Sequence, residues 1–115
     1  AAIQALSDLG ASSEAGALGD LVINDSKAIR QAAVCALAKM GAEGAEHAQR
    51  FLEDDDQAVR QAAVKVFSPL HSKLGAAAAR PYTGVVARRL LDEDWRVRFA
   101  AVVALGDLGA VEYVD

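Results

Sequence analysis

Three arginines recur at one position of an internal repeat, and they are the most regular chemical groups in the sequence. Arg30, Arg60 and Arg98 each follow a Ser or an Asp by four residues, and a polar or acidic turn precedes each of them. A row of such cations would suit phosphate groups, whereas arginines that bridge the acidic turn of their own or a neighbouring repeat would be structural. We favour the structural interpretation, because the carboxylates that neutralise these arginines already lie in the repeat.

Two acidic runs, residues 53–56 and 92–94, carry carboxylate oxygens, which are the ligands of hard cations such as Ca²⁺. Neither run has the alternating ligand spacing and the glycine of a calcium-binding loop. We interpret both runs as helix caps and solvated turns, and we predict no metal site.

His47, His71 and Cys35 are the side chains that would be expected in nucleophilic or acid–base catalysis. Neither histidine lies beside a serine or a cysteine in a recurring arrangement, so there is no case for a catalytic triad. Cys35 lies beside the apolar stripe of its helix, where we expect a small, buried or half-buried thiol. We predict no catalytic residue and no cofactor, and the single cysteine favours a reducing or intracellular compartment.

The composition indicates a folded chain without a strongly basic surface. Of the 115 residues, 53% are hydrophobic, which suits a packed core. The formal net charge of −4 and the pI near 5.1 disfavour nucleic acid as a partner. No apolar run reaches the about 18 residues that indicate a membrane-spanning helix. The sequence begins at Ala1 inside a repeat, so we expect it to be part of a longer chain.

The elements that position these residues repeat with a period of roughly 30 to 40 residues, which is typical of stacked repeat proteins. We divide the chain into the second half of a repeat, three repeats and the start of a further unit. These segments are residues 1–10, 11–41, 42–75, 76–110 and 111–115. Because one unit cannot bury its own apolar face, all of them are predicted to form a single stacked segment.

The second helix of each full repeat has the clearest signals. Ser26, Asp56 and Asp94 are predicted N-caps, because their side-chain oxygens can accept hydrogen bonds from the free amides of the first turn. Pro69 predicts a kink or break at residues 66–68, since proline lacks an amide hydrogen and clashes with the preceding turn. A core stripe at helical spacing is predicted in the first of these helices. Its members are Ile29, Ala33, Ala36, Leu37 and Met40.

The first helices of the repeats are predicted from apolar spacing and from turn residues. Gly10 is predicted to close the helix of residues 1–10, because glycine adopts the left-handed conformation that ends helices. Further helices are predicted at residues 14–23, at residues 45–53, and from Pro81 through Val85, Val86, Leu90 and Leu91. Residues 68–81 are compatible with either a loop or extended helices.

The third repeat differs from the other two at three positions of its second helix. Trp95, Phe99 and Val103 are apolar where the earlier copies are mostly polar. The earlier residues are Lys27 and Gln57, Gln31 and Gln61, and Cys35 and Lys65. At 100° per residue, the first two positions point away from the predicted core line.

With Val102, these residues would form an aromatic-rich patch on the inner surface, and Arg96 would lie at its rim. Exposed Trp and Phe are typical of the centre of a protein-binding site, so we predict that Trp95, Phe99, Val102, Val103 and Arg96 contact a partner. The alternative is that a further repeat packs over the patch.

The repeated residues resemble the HEAT-repeat family, in particular the short HEAT-like repeats of phycobilisome lyases. In the third repeat the matching residues are Leu91, Asp92, Asp94, Val97, Arg98, Ala100, Ala101, Ala104, Leu105, Leu108 and Gly109. In the second they are Leu52, Asp54, Asp56, Val59, Arg60, Ala62 and Ala63. The departures are Asn24, Ser26 and Ile29 in the first copy, and Val66, Phe67 and Pro69 in the second.

This resemblance implies an all-α fold, an α-solenoid of about three to four antiparallel helix pairs. The first helix of each pair would lie on the outer face and the second on the inner face. The function that the resemblance implies is a non-catalytic scaffold that presents its inner face to a protein partner, for example as a subunit of a larger assembly.

Two other functions remain open on the same resemblance. A bilin lyase-like enzyme or chaperone would act on a tetrapyrrole attached to a protein, and it would need a reactive group that faces a pocket. A nucleic-acid-binding module, as in some HEAT-like DNA-repair proteins, would use the arginine side, which the net charge disfavours. HEAT-like enzymes that hold two irons through repeated His-Glu pairs have no counterpart here, since Glu46-His47 is a single reversed pair.

Overall fold

The computed structural model of the chain describes residues 12–109, and these residues form α-helices joined by short 3-10 turns. The α-helices are α1 (Ser12–Gly19), α2 (Lys27–Leu37), α3 (Gly41–Ala48), α4 (Gln57–Phe67), α5 (Leu70–Leu74), α6 (Ala76–Ala79), α7 (Thr83–Ala87) and α8 (Trp95–Asp107). The 3-10 turns are Asp20–Ile23, Ala38–Met40, Gln49–Phe51, Arg80–Tyr82 and Arg88–Leu91. The predicted segments at residues 1–10 and 111–115, with the stop at Gly10, lie outside the described residues.

Helix pairs stack in sequence order. α1 packs on α2, α3 packs on α2 and α4, and α7 packs on α8. The second helices of the pairs, α2, α4 and α8, are called the B helices, and they stack on one another in that order. α1 also packs on α3. The predicted all-α, solenoid-like fold is therefore confirmed.

All three predicted caps at the B helices are present. The Ser26 hydroxyl accepts a hydrogen bond from the amide of Ile29, and the Asp56 carboxylate accepts from the amides of Ala58 and Val59. The Asp94 carboxylate accepts from the Arg96 amide. These bonds satisfy amides that have no partner within the helix, so each cap fixes the residue at which its B helix begins.

The break at Pro69 is also confirmed. α4 ends at Phe67, and α5 begins at Leu70. Proline cannot donate a backbone hydrogen bond, so the second B helix cannot continue unbroken through it. The residues that follow are helical rather than a loop, because α5 and α6 occupy Leu70–Leu74 and Ala76–Ala79.

Two of the first helices begin earlier than predicted. α3 begins at Gly41 rather than near residue 45, and the third pair begins with α6 at Ala76 rather than at Pro81. Gly41 has a φ of 63° and Gly75 has a φ of 93°, and residues with a Cβ rarely adopt these backbone conformations. These two glycines turn the chain within one residue, so a new helix starts at once. Pro81 lies in the 3-10 turn between α6 and α7.

Small residues let the helices approach closely. A Cβ on Gly44 of α3 would lie 1.8 Å from the carbonyl oxygen of Leu37, at the end of α2. Larger side chains fill the interior where space remains, and the rings of Phe67 and Tyr82 pack with centroids 5.1 Å apart. The largest fully enclosed side chains among the described residues are Phe51, Phe67, Leu18, Leu37, Leu105, Val34, Val59, Val64, Val86 and Val97.

Two predictions about burial are wrong, those for Ile29 and Cys35. Ile29 is 38% exposed, whereas its equivalents Val59 and Val97 are buried. α4 and α8 each have a B helix stacked on their preceding side, and within residues 12–109 α2 has none. Cys35 is exposed rather than buried or half-buried, since one step of 100° moves it off the core stripe. Leu91 is 89% exposed because the 3-10 turn that ends there does not continue the α-helical stripe.

Candidate functional site

Arg60 joins two repeats through a buried ion pair. Its Nε donates to Asp92 Oδ2 at 2.9 Å, and its Nη2 donates to Asp92 Oδ1 at 3.1 Å. Its Nη1 donates to the backbone carbonyl of Asp54 at 2.7 Å, in the turn of its own repeat. The Arg60 and Asp92 side chains are only 8% and 3% exposed. One guanidinium therefore binds the turn before its own helix and the turn before the next B helix.

Arg30 makes the same contacts one repeat earlier. Its Nε and Nη2 donate to the Asp54 carboxylate at 2.8 and 3.2 Å, and its Nη1 donates to the Asn24 carbonyl at 2.7 Å. The hydrogen-bonded Asp54 carboxylate raises the pKa of Arg30 above its ordinary value. The structural interpretation of Arg30 and Arg60 is therefore confirmed, and both arginines bridge their own turn and the following one.

The receiving aspartates also shape the turns. Asp54 Oδ1 accepts from the amide of Asp56 at 2.9 Å, and Asp92 Oδ1 accepts from the amide of Asp94 at 2.9 Å. The same carboxylate therefore holds the turn that leads into a B helix and accepts the arginine of the preceding repeat. This double role accounts for Asp54 and Asp92, and the cap two residues later accounts for Asp56 and Asp94.

Two open clefts lie along this edge, one between each pair of successive turns. The first has a volume of about 510 Å³, and the second has a volume of about 370 Å³. Their walls hold carboxylates and arginines, and each cleft also has one exposed aliphatic side chain, Ile23 in the first and Leu91 in the second. Sequence reasoning missed both clefts, although the repeat alignment places Ile23 and Leu91 directly before Asn24 and Asp92. Residues 12–109 contain no group of three or more His, Cys, Asp or Glu side chains able to hold a metal ion.

The third arginine of the row differs from the first two. Arg98 Nη1 donates to the Asp92 carbonyl at 2.7 Å, which repeats the contact with its own turn. Arg98 is nevertheless exposed, whereas Arg60 is buried. In the described part of the chain, no further B helix lies on α8 to offer Arg98 a carboxylate.

Trp95, Phe99, Val102 and Val103 form an exposed apolar surface on α8, which we call the α8 patch. Their exposed fractions are 63%, 64%, 45% and 45%. Their spacing of i, i+4, i+7 and i+8 places them on one side of the helix. At the position of Val102, the other two repeats have Val34 and Val64, which are 1% and 0% exposed. The residues from 12 to 109 therefore leave the patch uncovered.

Arg96 borders the α8 patch. Its guanidinium carbon lies 5.9 Å from the centroid of the Trp95 ring, within the range of a cation–π contact. Arg96 Nη2 also lies 3.1 Å from Asp94 Oδ2. Hydrogen bonds from the Arg96 side chain, and then from its backbone amide, lower the pKa of Asp94. The bond to Asp94 also raises the pKa of Arg96.

The remaining candidate groups lie on separate helices. His47 lies on α3, half-buried, and its side chain faces Gly19 of α1. His71 lies exposed on α5 beside Gly109, and Cys35 lies exposed on α2.

Comparison with known proteins gives one positive result. A family model described as HEAT repeats matches residues 48–115, which is more than half of the chain. No curated protein matches the chain. No helix within the described span 12–109 has the length and apolar character needed to cross a membrane.

Proposed function

Because the chain belongs to the HEAT-repeat family, whose members generally serve as protein-interaction scaffolds, we propose that it is a non-catalytic scaffold that binds another protein through α8. The observation that carries the proposal is the α8 patch, in which a Trp, a Phe and two Val side chains are exposed together on one helix face. Arg96 supplies a polar contact at the rim.

The composition of the patch suits a binding site. Binding energy at protein interfaces concentrates in a few Trp, Tyr and Arg side chains that lose their water on binding. Trp95 and Phe99 expose nearly two thirds of their surface, so each has apolar area left to bury. Removal of one such anchor typically costs about 2 kcal/mol, or about thirty-fold in affinity.

The repeat contacts favour binding without large rearrangement of the scaffold. α8 packs along α4, and the buried Arg60–Asp92 pair fixes the turn from which α8 begins. Asp94 caps the same helix at its first turn. A side chain on a helix that is already ordered loses little backbone entropy when a partner binds, so more of the contact energy appears as affinity.

A pair of double variants tests the proposal. Trp95→Ser with Phe99→Ser removes both aromatic anchors, and Lys27→Ser with Gln31→Ser changes the equivalent exposed positions of α2. We expect the first variant to lose capture of partner proteins from an extract of the source cells and the second to retain it, with both keeping the wild-type circular dichroism spectrum. Equal capture by both variants would show that α8 is not the binding surface.

The same preparations address the two other functions. A new or shifted absorption band after addition of a free bilin would support a lyase-like activity in place of the scaffold. Retardation of duplex DNA that weakens with salt would support nucleic-acid binding. We expect neither response from the wild-type protein.

A further inference from the structure

We propose that the α8 patch pairs with the same patch of a second copy of this chain, with the two α8 helices antiparallel about a twofold axis near Ala100 and Ala101. The inference rests on the proposed function, since it names a partner for the surface described there. The spacing of the exposed residues, the open space at Gly106 and the charges at the two ends of α8 support this pairing.

The spacing of the exposed residues along α8 is the same when it is read in either direction. Trp95, Phe99, Val102 and Gly106 are separated by four, three and four residues, the alternation of a two-helix seam. In an antiparallel pair, reversal of this order places Trp95 opposite Gly106 and Phe99 opposite Val102. Each of these pairs therefore joins one large residue to one small residue, and the twofold symmetry repeats each pair once.

Gly106 leaves room for the largest of these side chains. It is an exposed helical residue, and a Cβ added to it would meet no atom within 4 Å. The Trp95 ring of the second copy can therefore lie over the helix at this point. A glycine inside a helix is less stable than an alanine, and nothing within the described chain packs closely enough on Gly106 to require it.

Opposite charges meet along one flank of this pairing. Arg96 and Asp107 lie on the same side of the apolar seam, at opposite ends of α8. In the antiparallel pair, Arg96 of each copy comes within about 3 Å, along the helix axis, of the level of Asp107 of the other. Its guanidinium bonds Asp94 of its own chain, so Asp94 and the second copy's Asp107 would share it. Arg96 and Asp107 are both exposed, and the symmetry makes two such ion pairs.

Self-complementarity of this kind is what favours a second copy over an unrelated protein. A twofold interface requires one surface to match its own reversed image, and the residue spacing of α8 and the Arg96–Asp107 flank both meet this requirement. Four apolar side chains on one helix form a contact at the small end of the interface size range. The dimer is therefore expected to be weak and to dissociate on dilution.

The oligomeric state of the full chain is the first test. Sedimentation equilibrium between about 10 and 500 µM, the range over which small interfaces dissociate, should show a monomer–dimer equilibrium for the wild type. Trp95→Ser with Phe99→Ser should be monomeric throughout, and Lys27→Ser with Gln31→Ser should behave as the wild type. A wild-type chain that stays monomeric across the range would overturn self-pairing.

A charge exchange tests the register without altering the apolar seam. Arg96→Glu alone and Asp107→Arg alone should each weaken dimerisation by about tenfold, and the combined variant should return to within about threefold of the wild type. Both changes suit the helix dipole, since acids are favourable near the start of a helix and bases near its end. Arg96→Glu also removes the bonds to Asp94 and the contact with Trp95, so its melting temperature is compared with that of the wild type. Additive losses in the combined variant would contradict the proposed register.

Cross-linking separates the antiparallel pair from other contacts. In a Cys35→Ser background, Val102→Cys places two thiols about 4 to 5 Å apart along the helix axis, and Glu93→Cys places them more than about 20 Å apart. A short bis-maleimide should therefore join the first variant into dimers and leave the second monomeric. Cross-linking of both variants would indicate a parallel or unspecific contact instead.

These results distinguish the two proposals. A monomeric wild type that still captures a protein through Trp95 and Phe99 would refute self-pairing and leave the scaffold function intact. A dimer with the expected register, together with unchanged capture by Trp95→Ser with Phe99→Ser, would support self-pairing and refute the use of the patch for other proteins.

Discussion

Removal of the Asp92 carboxylate should destabilise the stack more than any surface substitution. Asp92 accepts hydrogen bonds from Arg60 at 2.9 and 3.1 Å, from Arg89 at 3.3 Å and from the Asp94 amide at 2.9 Å. Its side chain is 3% exposed and that of Arg60 is 8% exposed. Asp92→Ala therefore leaves a buried guanidinium with no buried counter-ion, since its other acidic neighbour, Glu93 at 3.9 Å, is 89% exposed.

The expected loss is large relative to the stability of a small domain. Removal of one partner of a buried ion pair costs about 3 to 5 kcal/mol, because the remaining charge stays desolvated. Total unfolding free energies are about 5 to 15 kcal/mol, so Asp92→Ala should consume a substantial part of the stability. At about 4 °C or more per kcal/mol, the melting temperature should fall by about 12 to 20 °C.

Urea unfolding followed by circular dichroism measures this loss. Asp20→Ala is the matched control, because the Asp20–Arg50 pair has a similar distance of 2.9 Å but lies at the surface. The control should lose no more than about 1 kcal/mol. A loss below about 1 kcal/mol for Asp92→Ala, equal to that of the control, would refute the reasoning that this ion pair joins the repeats. Combination with Arg60→Met should recover part of the stability, since the orphaned charge is removed as well.

Three further predictions concern individual residues. Gly106→Ala should raise the free energy of unfolding, measured in urea, by about 0.5 to 1 kcal/mol, because the added Cβ has no atom within 4 Å and alanine favours the helix. An unchanged free energy of unfolding would mean that α8 is already frayed at this residue. Gly44→Ala should lower the melting temperature, because its Cβ would lie 1.8 Å from the Leu37 carbonyl; an unchanged value would show that α3 shifts freely. The pKa of Asp94 is lowered by hydrogen bonds from the Arg96 side chain and then from the Arg96 amide. The stabilisation from these bonds is therefore complete above the ordinary carboxyl pKa and is lost as the pH falls through the folded pKa. In urea unfolding at a series of acidic pH values, Asp94→Asn should therefore make the free energy of unfolding less dependent on pH. The same pH dependence in the variant and the wild type would show that Asp94 does not contribute to it.

The sequence was sufficient for the features that depend on local chemistry. Ser26, Asp56 and Asp94 were recognisable as caps because an N-cap needs only a short polar side chain before an apolar helix. Pro69 was enough to predict the break in the second B helix, because proline has no amide hydrogen to donate to the preceding turn. The outward position of Trp95 and Phe99 followed from helical periodicity and from their polar counterparts in the other repeats.

Other features depend on how the repeats stack, and the sequence alone did not determine them. The choice of Asp92 as the acid for Arg60 is set by the register between two helix pairs that are distant in sequence. The exposure of Ile29 depends on what lies on the preceding side of α2, which the helix's own residues do not encode. The early starts of α3 and α6 follow from left-handed glycines, whose effect on direction cannot be read from an apolar pattern.

The central claim, that α8 is the binding surface, is tested most directly by a photoreactive residue at Val103. Its equivalent on α4, Lys65, is exposed in the same way and serves as the matched position. Incorporation of p-benzoylphenylalanine at either site, followed by irradiation in an extract of the source cells and mass spectrometry, identifies whatever protein lies against each helix. We predict adducts from position 103 and none from position 65. Equal adducts at both positions, or adducts at position 65 alone, would contradict the assignment of the binding surface to α8.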